Sequence, residues 1–222
     1  MLPRKPAALI FDMDGLLFDT EILYLRSLIS AGIETGFETT EALFRRMLGC
    51  PWPRIREILF EEFGPDFPID RFRAAWLAHF NAISPEMEMK PGVVALLDLA
   101  ARLHLPCAIA TSGYPEKVAH HLKAHGLTGR FDAIVAFGDY ARSKPAPDPY
   151  LTAAARLGLP PADCLAMEDS HNGVRSAAAA GTMTVMVPDM LAPTPEIEAL
   201  CVGVAKDLNE VRGWLEAAAL FQ

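Results

Sequence analysis

The sequence predicts an α/β fold, a doubly wound parallel sheet with an all-helical insertion after its first strand. Three observations carry that reading. Residues 7–11 (Ala-Leu-Ile-Phe closing the run) are wholly apolar, as in a strand buried on both faces. Residues 16–88 then show only helical spacing. From Pro91 onward apolar runs alternate with helical stretches, the rhythm of βαβ units.

Within the insertion, Ile22, Leu25, Leu28 and Ile29 recur at helical spacing, then Ala42, Leu43 and Met47, then Phe72, Ala75, Trp76 and His79. Pro51, Pro53, Gly64-Pro65 and Pro68 divide it into several helices. Beyond Pro91-Gly92 a helix is expected to about Leu103, a strand over 106–110, a helix over 115–125 ended by Gly126, and a strand over 133–137. A helix over 148–157 ended by Gly158 follows, then a strand over 164–167, a helix over 172–180 ended by Gly181, and a strand over 183–187. The expected domains are a sheet domain of residues 1–16 and 89–222 and a helical domain of residues 17–88.

Composition narrows the class. With 222 residues, 51% hydrophobic and 22% charged, the chain is neither disordered nor fibrous. Its 28 acidic against 20 basic residues give −8, which argues against nucleic-acid or membrane-surface binding. Cys50, Cys107, Cys164 and Cys201 stand far apart, fitting neither a zinc site nor a disulfide framework, and read as reduced thiols of a cytoplasmic protein. Asp12 cuts the first apolar run too early for a signal peptide, and no later run approaches a membrane span. The expected oligomeric state is a monomer or a weak dimer.

Acids and hydroxyls gather at the predicted strand ends. Asp12 and Asp14 follow the first strand, two apart, so that in extended backbone both point to one side. Gly15 allows a tight turn there. Thr111-Ser112-Gly113 ends the 106–110 strand with hydroxyls and amides suited to phosphate oxygens. Ser143-Lys144-Pro145 adds a cation after the next strand, and Glu168-Asp169-Ser170 ends the 164–167 strand with two more acids. Ligands of open α/β sheets bind at this carboxyl edge.

In that order and spacing, Phe11-Asp12-Met13-Asp14-Gly15-Leu16-Leu17-Phe18-Asp19-Thr20, Thr111, Lys144 and Glu168-Asp169 resemble the four signatures of the haloacid dehalogenase superfamily. Ser143-Lys144-Pro145-Ala146-Pro147-Asp148 and Glu168-Asp169-Ser170-His171-Asn172-Gly173 are similar to its β-phosphoglucomutase-like branch of phosphatases and mutases. The resemblance implies a Rossmann-like core, an inserted helical cap acting as a lid, and hydrolysis of a small phosphorylated metabolite through a phospho-aspartate. Asp12 would be the nucleophile and Asp14 the general acid and base, protonated when substrate binds. Lys144 and Thr111 would steady the phosphoryl group, with Ser112 and Gly113 beside it. Asp12, Asp169, the Asp14 carbonyl and Glu168 through water would hold Mg²⁺, which offsets the crowded negative charge.

Substrate choice falls to Tyr24, Arg54 and Asn172. Tyr24 stands where family mutases carry a histidine, and Trp52 or Pro53 where they carry an arginine, so a phosphatase is expected over a phosphosugar mutase. Superfamily dehalogenases lack an Asp14 equivalent. A non-enzymatic phospho-receiver module, which also gathers acids, hydroxyl and lysine, is shorter and has no such insertion. Arg45, Arg46 and Arg56 read as solvated helix faces, Trp52 and Trp76 as packing residues, and His120 and His121 as surface. His171 and Asn172 would line the site, unless Asn172 instead caps the following helix.

Overall fold

The first apolar run forms β1 (Ala8–Phe11), buried throughout. It lies inside a six-stranded sheet of order β3-β2-β1-β4-β5-β6. The computed structural model describes residues 2–50 and 52–220. The other strands are β2 (Cys107–Ala110), β3 (Ala133–Val135), β4 (Cys164–Glu168), β5 (Met183–Met186) and β6 (Gly203–Val204), all pairing in parallel. Helices α5 (Val93–Arg102), α6 (Pro115–Ala124), α7 (Asp148–Leu157) and α8 (His171–Ala179) alternate with them, and α9 (Pro195–Leu200) and α10 (Leu208–Leu220) close the chain. The α/β doubly wound class expected of the sequence is the one observed. Small side chains from β1, β2 and β4 (Ala8, Ala108, Ala166) let the buried Tyr150 and Ala153 of α7 sit close against the sheet.

Element boundaries depart from expectation where backbone amides find other partners. The strand expected over 133–137 stops at Val135, because Ala136 N–H donates to the Asp139 carboxylate (2.9 Å) and Phe137 N–H to the Gly113 carbonyl (2.8 Å). The strand expected from Pro106 begins at Cys107, since proline has no amide hydrogen to give. Beyond the last strand expected of the sequence, over 183–187, the chain adds α9, β6 and α10.

The chain forms two units, Met1–Phe18 with Met89–Gln222, and Asp19–Glu88. Leu17 and Phe18 belong to the first. The Leu17 carbonyl accepts from Lys90 N–H at 3.0 Å, and Phe18 bridges Met89. The second unit holds α1 (Thr20–Thr35), α2 (Glu41–Met47), α3 (Trp52–Phe63) and α4 (Ile69–Ile83), with no strand among its described residues. Within it α1 packs on α4, and buried Trp76 donates its indole N–H to the Tyr24 carbonyl at 3.0 Å. Pro51, read as a helix breaker, lies outside the described residues. No helix among the described residues is long and apolar enough to cross a membrane.

Candidate active site

Strand register assembles the site. β1 lies between β2 and β4, with Phe11 opposite both Ile109 and Met167. The residues after these strands therefore emerge side by side. Asp12 N–H continues the ladder, donating to the Met167 carbonyl at 3.0 Å, which brings Asp12 beside Glu168 and Asp169. The chain then turns at Gly15, whose φ of +86° is one a side chain rarely adopts. A Cβ at Gly15 would also collide with the Asp169 carboxylate, so glycine is what lets that carboxylate approach the Asp12–Asp14 backbone.

Lys144 is the cation of this cluster. Its Nζ donates to Asp12 Oδ1 and to Glu168 Oε1, each at 2.5 Å, and its side chain is only 7% exposed. Burial alone would lower the lysine pKa, but the two carboxylates more than offset it and hold the ammonium charged. Burial pushes the Asp12 carboxyl up to about 7, opposed by Lys144 and reinforced by Glu168. Fully buried Glu168 has both oxygens engaged. Oε1 also accepts from the Tyr150 hydroxyl at 2.7 Å, and Oε2 accepts from Ser170 Oγ (3.1 Å) and N (3.3 Å).

On the other side of β1, the loop after β2 carries buried Thr111, whose Oγ1 accepts from Gly113 N–H at 3.0 Å. The Tyr140 hydroxyl donates to the Thr111 carbonyl at 3.1 Å, and Ser112 is exposed next to it. A Cβ at Gly113 would lie 3.4 Å from Thr111 Oγ1 and 3.6 Å from Asp14 Oδ2, so this loop faces the Asp14 carboxyl closely.

Two residues that sequence reasoning missed join the site. Tyr150, in the first turn of α7, holds Glu168, and the Lys144 ammonium lies 5.1 Å from its ring centroid. Its position six residues after Lys144 is a usable signal in hindsight, but an aromatic in a helix reads first as core. Lys117 of α6 places Nζ 3.5 Å from Asp14 Oδ1, so Lys144 is not the sole basic residue beside the acids.

Other assignments change. His121, read as surface, is buried and packs 5.8 Å from the Phe18 ring, while His120 is exposed. The cap of α8 is Ser170, whose Oγ accepts from Gly173 N–H at 3.1 Å; Asn172 lies inside the helix, its Oδ1 accepting from Arg175 at 3.4 Å. His171 Nε2 pairs with the Ala192 carbonyl at 2.8 Å. In the helical unit, the Tyr24 ring stacks on Phe80 at 4.0 Å, and Arg54 Nη1 is shared between Glu57 and Glu61, each at 2.9 Å.

The donor set suits a hard divalent cation. Oxygens of Asp12, Glu168 and Asp169 lie within 4.8 Å of one another, all three residues are buried, and Lys144 is the ammonium lying among them. The space that Gly15 leaves for Asp169 is part of the same fit. Glu168 already has protein donors on both oxygens, which limits its capacity for a direct ligand.

Residues 9–187 match the haloacid dehalogenase-like hydrolase family. The plasmid-encoded protein CbbY of Cupriavidus necator is 38% identical over 197 residues, 82% of this chain and 78% of that one. A phosphorylated carbohydrates phosphatase of Thermotoga maritima is 31% identical over 215 residues, covering 96% of this chain and 92% of its own. The crystal structure of CbbY from Rhodobacter sphaeroides in complex with phosphate aligns with a TM-score of 0.76 at 27% identity, over 93% of this chain and 96% of that one. Since the matched stretch starts in β1 and ends just past β5, it spans every loop of the acidic site, and the chain belongs to the haloacid dehalogenase-like hydrolase family, in the branch that includes CbbY.

Proposed function

We propose that this hydrolase is a phosphatase that cleaves the phosphomonoester of a small metabolite, a sugar or nucleoside phosphate, by way of a phospho-aspartate on Asp12. The observation that carries the reading is the buried Asp12–Lys144–Glu168 chain at the carboxyl edge of the sheet, with Asp14, Thr111 and Asp169 around it. The relative that cleaves phosphorylated carbohydrates supports the substrate class.

In this mechanism Asp12 Oδ attacks phosphorus in line, and the P–O bond to the leaving group breaks as the Asp12–P bond forms. Asp14 gives its proton to the departing oxygen. Water then attacks the acyl phosphate, Asp14 takes its proton, and inorganic phosphate leaves with Asp12 restored. Lys144 balances the nucleophile and the phosphoryl oxygens, and the Thr111 loop, with Ser112 and Gly113 beside it, receives those oxygens. Asp12, Asp169 and the Asp14 carbonyl would hold Mg²⁺, which when bound supplies charge neutralisation between the carboxylates and the incoming dianion. Glu168 serves by fixing Lys144.

Release of inorganic phosphate across a panel of phosphorylated sugars and nucleosides, with Asp12→Asn as control, tests the reading. Turnover by the parent and none above background by the folded variant is expected. Turnover retained in Asp12→Asn would assign the nucleophile elsewhere, and accumulation of an isomerised sugar phosphate in place of free phosphate would make the protein a mutase.

A further inference from the structure

One face of α6 grips the turn that carries Asp14. Lys117, His121 and His125 recur every four residues and so share that face. Lys117 Nζ stands 3.5 Å from Asp14 Oδ1, and both side chains are largely shielded, 26% and 31% exposed. The His121 and His125 rings lie 5.8 and 4.7 Å from the ring of Phe18. Phe18 closes the same turn, its carbonyl accepting from Gly15 N–H at 2.9 Å. The helix thus contacts the Asp14 turn at both ends.

Lys117 breaks a local rule. It occupies the first turn of α6, where the positive end of the helix dipole disfavours a cation. Departures of this kind are expected at functional positions, where a tertiary partner compensates. Here the partner is the Asp14 carboxylate, whose two oxygens have different surroundings. Oδ1 faces Lys117, while Oδ2 faces the Thr111–Gly113 loop, with a Cβ position at Gly113 only 3.6 Å away.

We propose that Lys117 is a positioning residue for proton transfer, holding Asp14 Oδ1 so that Oδ2, turned to the Thr111–Gly113 loop, is the oxygen that exchanges the proton with the leaving group. The proton passes from Oδ2 to the departing oxygen as its bond to phosphorus breaks and the Asp12–P bond forms. This rests on the general-acid role of Asp14 set out above. It accounts for the lysine that stands beside the Asp14 carboxylate.

Leaving groups that differ in their need for a proton separate this role from phosphate binding or simple packing. p-Nitrophenolate departs without protonation, whereas phenolate depends on it. The readout is the ratio of kcat/KM for phenyl phosphate to that for p-nitrophenyl phosphate, which reports on the steps through the first phosphoryl transfer. In Lys117→Met the ratio is expected to fall about tenfold, the scale of a weakened general acid, and Lys117→Arg to recover most of it. A parental ratio in folded Lys117→Met overturns the proposal, including the case where KM rises equally for both substrates because Lys117 binds phosphate. Asp14→Asn is expected to lower the ratio further. A parental ratio in that variant would overturn the acid role of Asp14 itself, so failure of the underlying mechanism is distinguishable from failure of the Lys117 assignment.

Discussion

Asp12 and His121 are both buried polar residues, yet burial acts on them in different settings. Asp12 has Lys144 within hydrogen-bond distance and a hard-oxygen neighbourhood that suits a cation. His121 has a buried Nε2 with no hydrogen-bond partner among the described residues and packs on Phe18. Burial first, and then the Lys117 charge, push the His121 pKa down to about 4, with Asp14 opposing. The imidazole is therefore neutral in the folded protein over a range where the unfolded chain, at about 6.5, is protonated. The unfolded state binds more protons there. The stability held by neutral His121 is complete above about pH 6.5 and drains away as pH falls through about 4, by up to about 3 kcal/mol. Replacing His121 by Phe should flatten the fall of Tm over that window. Parallel Tm-against-pH curves for the two proteins would show that another group governs it.

At the scale of elements, α8 and β4 are fitted to each other through glycine. Gly173 occupies the first turn of α8, and a Cβ there would run into the Glu168 carboxyl group. Helix propensity alone says that alanine at this position stabilises by about 1 kcal/mol. Packing says the reverse, because Glu168 is fully buried and tied to Lys144, Tyr150 and Ser170, so it has nowhere to move without losing those bonds. Gly173→Ala is expected to destabilise by about 1–3 kcal/mol in urea unfolding and to lower phosphatase activity through displaced Lys144. A variant more stable than the parent would mean that the Glu168 pocket is not rigid. Ser170→Ala removes the α8 cap and should cost about 1 kcal/mol.

Across the whole molecule the relevant quantity is charge. The chain carries −8 overall, and its site gathers Asp12, Asp14, Glu168 and Asp169 around Lys144 and Lys117, an excess of acid that a phosphate dianion would increase. A divalent cation relieves it. Added Mg²⁺ should therefore raise Tm, with a ligand at a hundred times its Kd contributing about 2.7 kcal/mol. Asp169→Asn should abolish the rise, and EDTA should stop hydrolysis until Mg²⁺ is restored. Equal Tm gains in the parent and in Asp169→Asn would place the ion elsewhere.

The sequence by itself determined the fold class and which residues end the strands at one edge. Apolar periodicity separates buried strands from helices, and a short motif after a strand inherits its position from that strand. It also sufficed for the family, because Asp12, Asp14, Thr111, Lys144, Glu168 and Asp169 recur in fixed order. Three-dimensional packing decided the rest. Lys117 meets Asp14 across 103 residues and Tyr150 meets Glu168 across 18, each pair on elements whose approach depends on strand order and on the rotation of a helix about its axis. The end of β3 near Val135 was likewise settled in part by a distant acceptor, the Gly113 carbonyl that Phe137 N–H reaches. Those choices are made by packing between distant segments, and no local pattern along the chain encodes them.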